Sequence, residues 1–121
     1  MRADVYMVHR NDGLLRALRA MLASERYHVR AAEGLDELLP ELAAAGRSAV
    51  VVIDEEAAGP GWRERLDLVP DDIPCVVLTW YPWSAFPPRV TPLGKPFRAR
   101  ELMDLLAAKV ERDPPGSGAG R

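Results

Sequence analysis

Three side chains that can do chemistry come directly after apolar segments of this sequence. Asp54 closes an unbroken apolar run that begins at Ala49. Four consecutive β-branched residues before a carboxylate indicate a strand buried on both faces, as in a parallel sheet. Thr79 ends a second run that begins at Ile73, and Lys95 follows a later segment. Because ligands bind at the carboxyl ends of the strands in open α/β sheets, we expect a carboxylate, a hydroxyl and an ammonium group at one edge.

The apolar pattern also predicts the elements that bring these side chains together. The order strand, helix, strand, helix, strand implies βαβ units and a parallel sheet. Apolar residues at helical spacing predict helices over about 14–22, 35–42, 62–69 and 98–111. Pro40 lies within the second of these segments and should kink or shorten that helix. By its composition, the stretch after Asp54, 55–61, is expected to be a loop.

Taken together, these residues resemble the receiver domain of bacterial two-component response regulators, from about Val5 to Val110. In that family an Asp at the end of the third strand accepts a phosphoryl group, a Thr or Ser ends the fourth strand, and a Lys-Pro follows the fifth. Asp54, Thr79 and the pair Lys95 and Pro96 match in identity and order. The resemblance implies a flavodoxin-like, doubly wound, five-stranded parallel sheet, with Asp54 as phosphoacceptor, Thr79 as the switch hydroxyl and a cis bond before Pro96.

One part of the family's pattern is replaced. Receivers carry two adjacent carboxylates just after the first strand, which hold Mg²⁺ together with the acceptor Asp; here these two positions are His9 and Arg10. Mg²⁺ prefers hard oxygen ligands in octahedral geometry, so neither side chain substitutes for a carboxylate. His9 and His28 also lack the spacing of another metal site. We therefore predict no metal and no cofactor.

Arg10 has two interpretations. Its guanidinium can pair with Asp54 and, together with Lys95, imitate the charge of the metal-bound or phosphorylated state. Alternatively it points into solvent, as most arginines do. Because a position at a strand end limits where the side chain can go, we predict that Arg10 lies within salt-bridge distance of Asp54.

The interval between Thr79 and Lys95 is too short for a full helix, a strand and two connections. The stretch from Trp80 to Pro88 contains three prolines and no helical period, so we predict that the family's fourth helix is lost or shortened. Pro92 stands where receivers often carry an aromatic residue that rotates on activation. The usual coupling between that aromatic residue and the switch hydroxyl should therefore be absent.

The same stretch holds half of the chain's eight aromatic residues. They are Trp80, Tyr81, Trp83 and Phe86. Exposed, they would form a patch of the kind that anchors protein partners; folded back, they would cover the sheet edge that the missing helix leaves. We expect partial covering with some exposure.

Composition limits the remaining classes. A chain of 121 residues that is 48% apolar fits one domain. Its net charge of -2 argues against a nucleic-acid or membrane-surface partner, and a single Cys fits a reducing compartment. No signal peptide or membrane span is visible. We expect a cytoplasmic protein with a receiver-like domain over 1–111 and a flexible Pro/Gly-rich tail over 112–121.

We interpret the chain as an atypical receiver domain, and not an enzyme, that acts in two-component phosphorelay signal transduction. The favoured hypothesis is a Mg-independent pseudo-receiver that serves as an interaction module. The alternative is a phosphorylatable receiver that accepts a phosphoryl group on Asp54 from a histidine kinase, since Arg and Lys alone can stabilise phosphoryl transfer electrostatically. The expected partner is a protein: a histidine kinase, an output protein or a second copy in a homodimer.

Overall fold

A computed structural model of the chain describes residues 3–10, 12–45 and 49–110. The tail predicted over 112–121 lies outside the described residues. The strands are β1 (Ala3–Val8), β2 (Tyr27–Ala32), β3 (Ala49–Asp54), β4 (Cys75–Thr79) and β5 (Val90–Gly94). The helices are α1 (Asp12–Ser24), α2 (Leu39–Ala43), α3 (Glu55–Ala58), α4 (Trp62–Arg65) and α5 (Ala99–Val110). Two 3₁₀ turns, Leu35–Glu37 and Leu66–Leu68, precede α2 and follow α4.

The five strands form one parallel sheet in the order β2-β1-β3-β4-β5. All six residues of the central strand β3 are buried. Its side chains alternate between two apolar clusters: Val50 and Val52 pack with α1 and α5, and Val51 and Ile53 pack on the opposite face. The apolar runs predicted a parallel sheet, and the fold is the doubly wound, flavodoxin-like arrangement that the resemblance implied, with helices on both faces of the sheet.

Two of the four predicted helices, those over 35–42 and 62–69, are shorter than predicted. The second predicted helix is divided into a 3₁₀ turn and the five-residue α2, whose first turn contains Pro40. Proline is accepted there because a residue of the first turn has no intrahelical partner for its N–H group. The expected loop over 55–61 was wrong in part, because its first four residues form α3. Asp54 caps that turn by accepting a hydrogen bond from the Glu56 N–H.

The connection between β4 and β5, residues 80–89, contains no helix, which confirms the predicted loss of the family's fourth helix. Specific contacts hold the connection in place. Pro82 lies against Gly94 so closely that a Cβ atom there would come within 2.9 Å of the proline ring. Arg63 donates to the Ala85 carbonyl at 3.0 Å, and its guanidinium lies 4.7 Å from the centre of the Phe86 ring. Packing, and not backbone hydrogen bonding within a helix, fixes this loop.

Arg89 ties the β3–β4 connection to the start of β5. Its guanidinium donates to the Val69, Pro70 and Ile73 carbonyls at 3.1, 2.6 and 2.9 Å. These carbonyls belong to a segment without regular structure, so Arg89 supplies the donors that a helix or sheet would otherwise provide. Nothing in the sequence pattern pointed to this role. Within the described residues, no helix is both long and apolar enough to cross a membrane.

Candidate functional site

The predicted site residues converge at the carboxyl edge of the sheet. Asp54 ends β3 and Thr79 ends β4, while His9 follows β1 and Lys95 follows β5. His9, Asp54 and Thr79 are all buried. An open pocket lies over this edge, and its walls include Leu14, Trp80 and Phe97 beside the charged groups. The parallel register alone explains the convergence, because all of these strands end on the same side.

Lys95 is the centre of the site. Its ammonium group donates to Asp54 Oδ1 at 2.6 Å and to Glu56 Oε1 at 2.9 Å. The same Asp54 oxygen also accepts from the Glu56 N–H at 3.2 Å. The Lys95 backbone N–H donates to the Thr79 carbonyl at 2.7 Å, which anchors the lysine to the end of β4. The peptide bond between Lys95 and Pro96 is cis, as the resemblance implied.

Lys95 and Glu56 both have shifted pKa values. Burial alone would lower the pKa of Lys95, but its hydrogen bonds to Asp54 and Glu56 together outweigh burial and raise the pKa above its ordinary value. The pKa of Glu56 is lowered, first by its hydrogen bond to Lys95 and then by that from the Trp80 indole. Both shifts favour the ionised forms, so the lysine and the glutamate stay charged over the whole neutral range.

The Thr79 hydroxyl is bonded to a neighbouring glutamate and not to Asp54. It donates to Glu55 Oε1 at 2.6 Å and accepts from the Tyr81 N–H at 3.0 Å. The other oxygen of Glu55 accepts from the Trp62 indole at 3.4 Å. The hydroxyl of the predicted switch position therefore has both a donor and an acceptor role within the chain.

The β1 side of the site differs from the prediction. His9 lies beside Asp54, with Nε2 3.7 Å from Oδ2. Arg10 is exposed, and among the described residues no ion pair joins it to Asp54. The predicted Arg10–Asp54 salt bridge is therefore wrong. Its physical reason is that Lys95 already neutralises Asp54 at 2.6 Å, so a second, solvated cation gains little by leaving water.

The sequence pattern did not indicate Glu55 and Glu56 as site residues. Their signal was present, because two acidic residues directly after a strand-end carboxylate are also in the first turn of a helix, where negative charge is favoured. Composition alone assigned them to a loop. The helical turn α3 brings one of them to Thr79 and the other to Lys95.

The donor set does not fit the Mg²⁺ of the receiver family. The two residues after β1 supply an imidazole and a guanidinium where that metal needs oxygen. Asp54 and Glu56, the carboxylates that line the pocket, both bind the Lys95 ammonium. In the described part of the chain, no cluster of three His, Cys, Asp or Glu side chains is arranged to hold a metal ion.

The four aromatic residues of the β4–β5 connection divide as expected. Phe86 is half-buried and packs toward Trp62, with ring centres 6.3 Å apart. Trp80, Tyr81 and Trp83 are 47%, 60% and 78% exposed; these three residues are called the aromatic patch below. Tyr81 and Trp83 meet edge to face at 5.7 Å. The loop thus covers the core with one ring and presents three.

No family model matches the chain, and no curated protein matches it. Solved structures do match. The receiver domain from the hybrid histidine kinase CckA has a TM-score of 0.70 and 19% identity, with 89% of this chain and 99% of that chain covered. A CheY-like response regulator receiver domain protein from Methanospirillum hungatei JF-1 has a TM-score of 0.70 and 22% identity, over 92% of this chain and 96% of that chain. A response regulator receiver modulated diguanylate cyclase from Pelobacter carbinolicus has a TM-score of 0.69 and 17% identity, over 90% of this chain and 92% of that chain. At these identities the likeness concerns architecture, and it shows that the chain has the fold of response regulator receiver domains.

Proposed function

We propose that this protein is an atypical receiver domain that acts in two-component signalling as a Mg-independent interaction module, without phosphorylation. One observation carries the proposal. Lys95, the residue that would contact a phosphoryl group in a receiver, is shared between Asp54 and Glu56 at 2.6 and 2.9 Å. The chain thus supplies two negative groups to this lysine by itself, so that the charge pattern of the site is complete without a phosphate.

The chemistry of the β1 side supports the same proposal. Phosphoryl transfer to a carboxylate needs the charge of the incoming group to be neutralised. In receivers a divalent cation does this, and His9 and Arg10 cannot hold one in the usual way. Glu56 adds a further negative charge beside Asp54, which opposes the approach of an anionic donor.

The aromatic patch supports a role in protein recognition. Exposed Trp and Tyr side chains are the residue types that most often anchor interfaces. Prolines and the contacts of Arg63 and Pro82 fix the loop that carries them, so binding costs little ordering of the chain. The partner we propose is a protein of the signalling pathway, such as a histidine kinase or an output protein, or a second copy of this chain.

A phosphorylatable receiver is the second candidate. Asp54 lines the open pocket, so the carboxylate is reachable, and Lys95 and Thr79 stand at the positions that the family uses. This candidate makes Asp54 the acceptor of a phosphoryl group from a histidine kinase. It requires that His9, Arg10 and Lys95 together replace the charge of the metal.

Intact mass spectrometry after incubation with phosphoramidate, with and without Mg²⁺, separates the two candidates. We expect the mass to stay unchanged under both conditions. An added phosphoryl group on the natural chain, absent from Asp54→Asn, would establish the second candidate instead. An adduct that persists in Asp54→Asn would identify a different acceptor and leave the acid site unmodified.

The interaction role is tested with the double variant Trp80→Ala and Trp83→Ala. We expect it to fold normally, because both indoles are exposed, and to lose self-association in sedimentation or capture of a co-expressed kinase or output protein. Leu68→Ala is the matched control, since Leu68 is an apolar side chain 62% exposed outside the patch. Equal binding by the double variant and the control would overturn the assignment of the patch.

A further inference from the structure

Trp80 is part of both the pocket wall and the aromatic patch. It lines the pocket over Asp54, and it is one of the three exposed rings of the aromatic patch. The other two rings contact each other and are not among the residues that line the pocket. Among these three rings, Trp80 is therefore the side chain that links the pocket over Asp54 to the patch.

Glu56 provides that link. Its Oε1 atom accepts from the Trp80 indole N–H at 3.2 Å and from the Lys95 ammonium at 2.9 Å. The ammonium also lies 5.6 Å from the centre of the Trp80 ring, within the range of a cation–π contact. One carboxylate oxygen thus holds the indole and the lysine together, and the lysine is in turn held by Asp54.

The neighbouring glutamate makes a parallel contact that differs in one respect. Glu55 accepts from the Trp62 indole at 3.4 Å and from the Thr79 hydroxyl, but Trp62 is buried. Core packing fixes that indole whatever Glu55 does. Trp80 is half-exposed, so packing fixes its ring less firmly and its hydrogen bond to Glu56 can select its orientation.

We propose that Glu56 is a positioning residue for the binding surface, a latch through which the charge balance at Asp54 and Lys95 sets the orientation of Trp80 in the aromatic patch. Lys95 divides its hydrogen bonds between Asp54 and Glu56. A change that strengthens the bond to Asp54 weakens the hold on Glu56 and frees the indole, and a change that weakens the bond to Asp54 tightens the latch. The effect on a partner rests on the proposed function, whereas the latch itself is a property of the isolated domain.

The three tryptophans allow the latch to be measured without a partner. Each gives one indole N–H signal in a two-dimensional ¹H–¹⁵N spectrum, and single Trp→Phe variants assign the three signals. In Glu56→Ala we expect the Trp80 signal to move toward the position of the exposed Trp83 indole, with faster hydrogen exchange, while the Trp62 signal stays in place. Glu55→Ala is the matched control, and it should move the Trp62 signal and leave that of Trp80.

Two further variants test whether the charge balance at Asp54 and Lys95 controls the orientation of Trp80. Asp54→Asn removes a competitor for Lys95, so we expect slower exchange of the Trp80 indole. Lys95→Met should free Trp80 in the natural chain and have no added effect in Glu56→Ala, because both changes break the same chain of contacts. If Lys95→Met moves the Trp80 signal equally in both backgrounds, the lysine acts on the ring directly and Glu56 is no latch.

A Trp80 signal that is unmoved in Glu56→Ala would overturn the proposal outright. The proposed function fails differently, since a patch that binds nothing leaves all of these spectral shifts unchanged. Where a partner of the patch is found, Glu56→Ala should weaken its binding and Glu55→Ala should leave it as it is, measured by titration of the same partner into both variants. Equal affinities would confine the latch to the indole and remove its effect on recognition.

Discussion

The two oxygens of the Asp54 carboxylate face different partners. On the side of β5, Asp54 Oδ1 has two donors, the Lys95 ammonium at 2.6 Å and the Glu56 N–H at 3.2 Å. On the side of β1, Oδ2 faces the His9 imidazole at 3.7 Å, which is beyond hydrogen-bond distance, and Arg10 is exposed. Lys95 thus makes the β5 side of Asp54 the charge-paired side, and on the β1 side no described lysine or arginine reaches the carboxylate.

This difference lies in the side chains of the site and leaves the fold unchanged. The residues that match the receiver pattern, Asp54, Thr79 and Lys95, still converge, because strand order and register place them. The replaced positions after β1 leave the sheet intact, since strand ends accept polar residues of any charge. What differs from the receiver pattern is the balance of charge around one carboxylate, to which Glu56 contributes.

The largest effect is expected when the ion pair between Lys95 and Asp54 is removed. Lys95→Met leaves the nine-tenths buried Asp54 carboxylate without its cation and should lower the free energy of unfolding by about 3 kcal/mol. Adding Asp54→Asn to Lys95→Met should restore most of that loss, because the unpaired charge is then gone. Urea unfolding of both variants measures the difference, and an equal loss in the single and double variants would contradict the pairing.

Thr79→Val tests the second contact of the same side. It keeps the shape but removes the hydroxyl that bonds Glu55 and the Tyr81 N–H, so those groups lose a partner. We expect a loss of about 2 kcal/mol in the free energy of unfolding. Thr91→Val, a half-buried β5 residue, is the control for replacing a strand threonine and should be close to neutral.

The β1 side can be converted into a candidate Mg²⁺ site by substitution. The double change His9→Asp and Arg10→Asp restores two oxygen ligands, so Mg²⁺ should raise the melting temperature in a saturable way. At about ten times the dissociation constant the gain is about 1.4 kcal/mol. The natural chain should show no such gain, and a saturable Mg²⁺ response in it that Asp54→Asn abolishes would contradict the proposed Mg independence.

Acid pH should break the contact between Glu56 and Lys95. Because the folded-state pKa of Glu56 lies below its ordinary value of 4.5, its stabilising contact is complete above that value and is lost as the pH falls through the lowered pKa. The Trp80 indole signal should move in that window, below pH 4.5. In Glu56→Gln the movement should disappear, and its persistence there would assign the transition to another group.

The smallest effect is expected at Arg10. Its exposed guanidinium pairs with no described carboxylate, so Arg10→Ala should change the free energy of unfolding by less than about 0.5 kcal/mol. Arg89→Ala is the comparison variant in the same thermal unfolding experiment. Arg89 donates to several carbonyls, so its loss should clearly lower the melting temperature. A strongly destabilised Arg10→Ala would mean that Arg10 also contributes to the charge pairing of the site.

The sequence by itself determined the sheet, the order of its elements and the edge at which the site lies. Runs of β-branched residues and helical spacing are local patterns, and a parallel sheet brings the ends of its strands together without further information. Three prolines within nine residues predicted the loss of a helix between β4 and β5 for an equally local reason, since proline has no N–H group to donate.

Only the tertiary structure decided the partners of the charged residues. Which cation pairs with Asp54 depends on distances between elements that are far apart in the chain, and Lys95 rather than Arg10 occupies that place. The roles of Glu56 and Arg89 depend in the same way on contacts made from one connection to another. Periodicity predicts which residues are buried, but it does not predict where the charged end of a long side chain lies. The ion pairs of this site therefore depend on how the strands, helices and connections pack together.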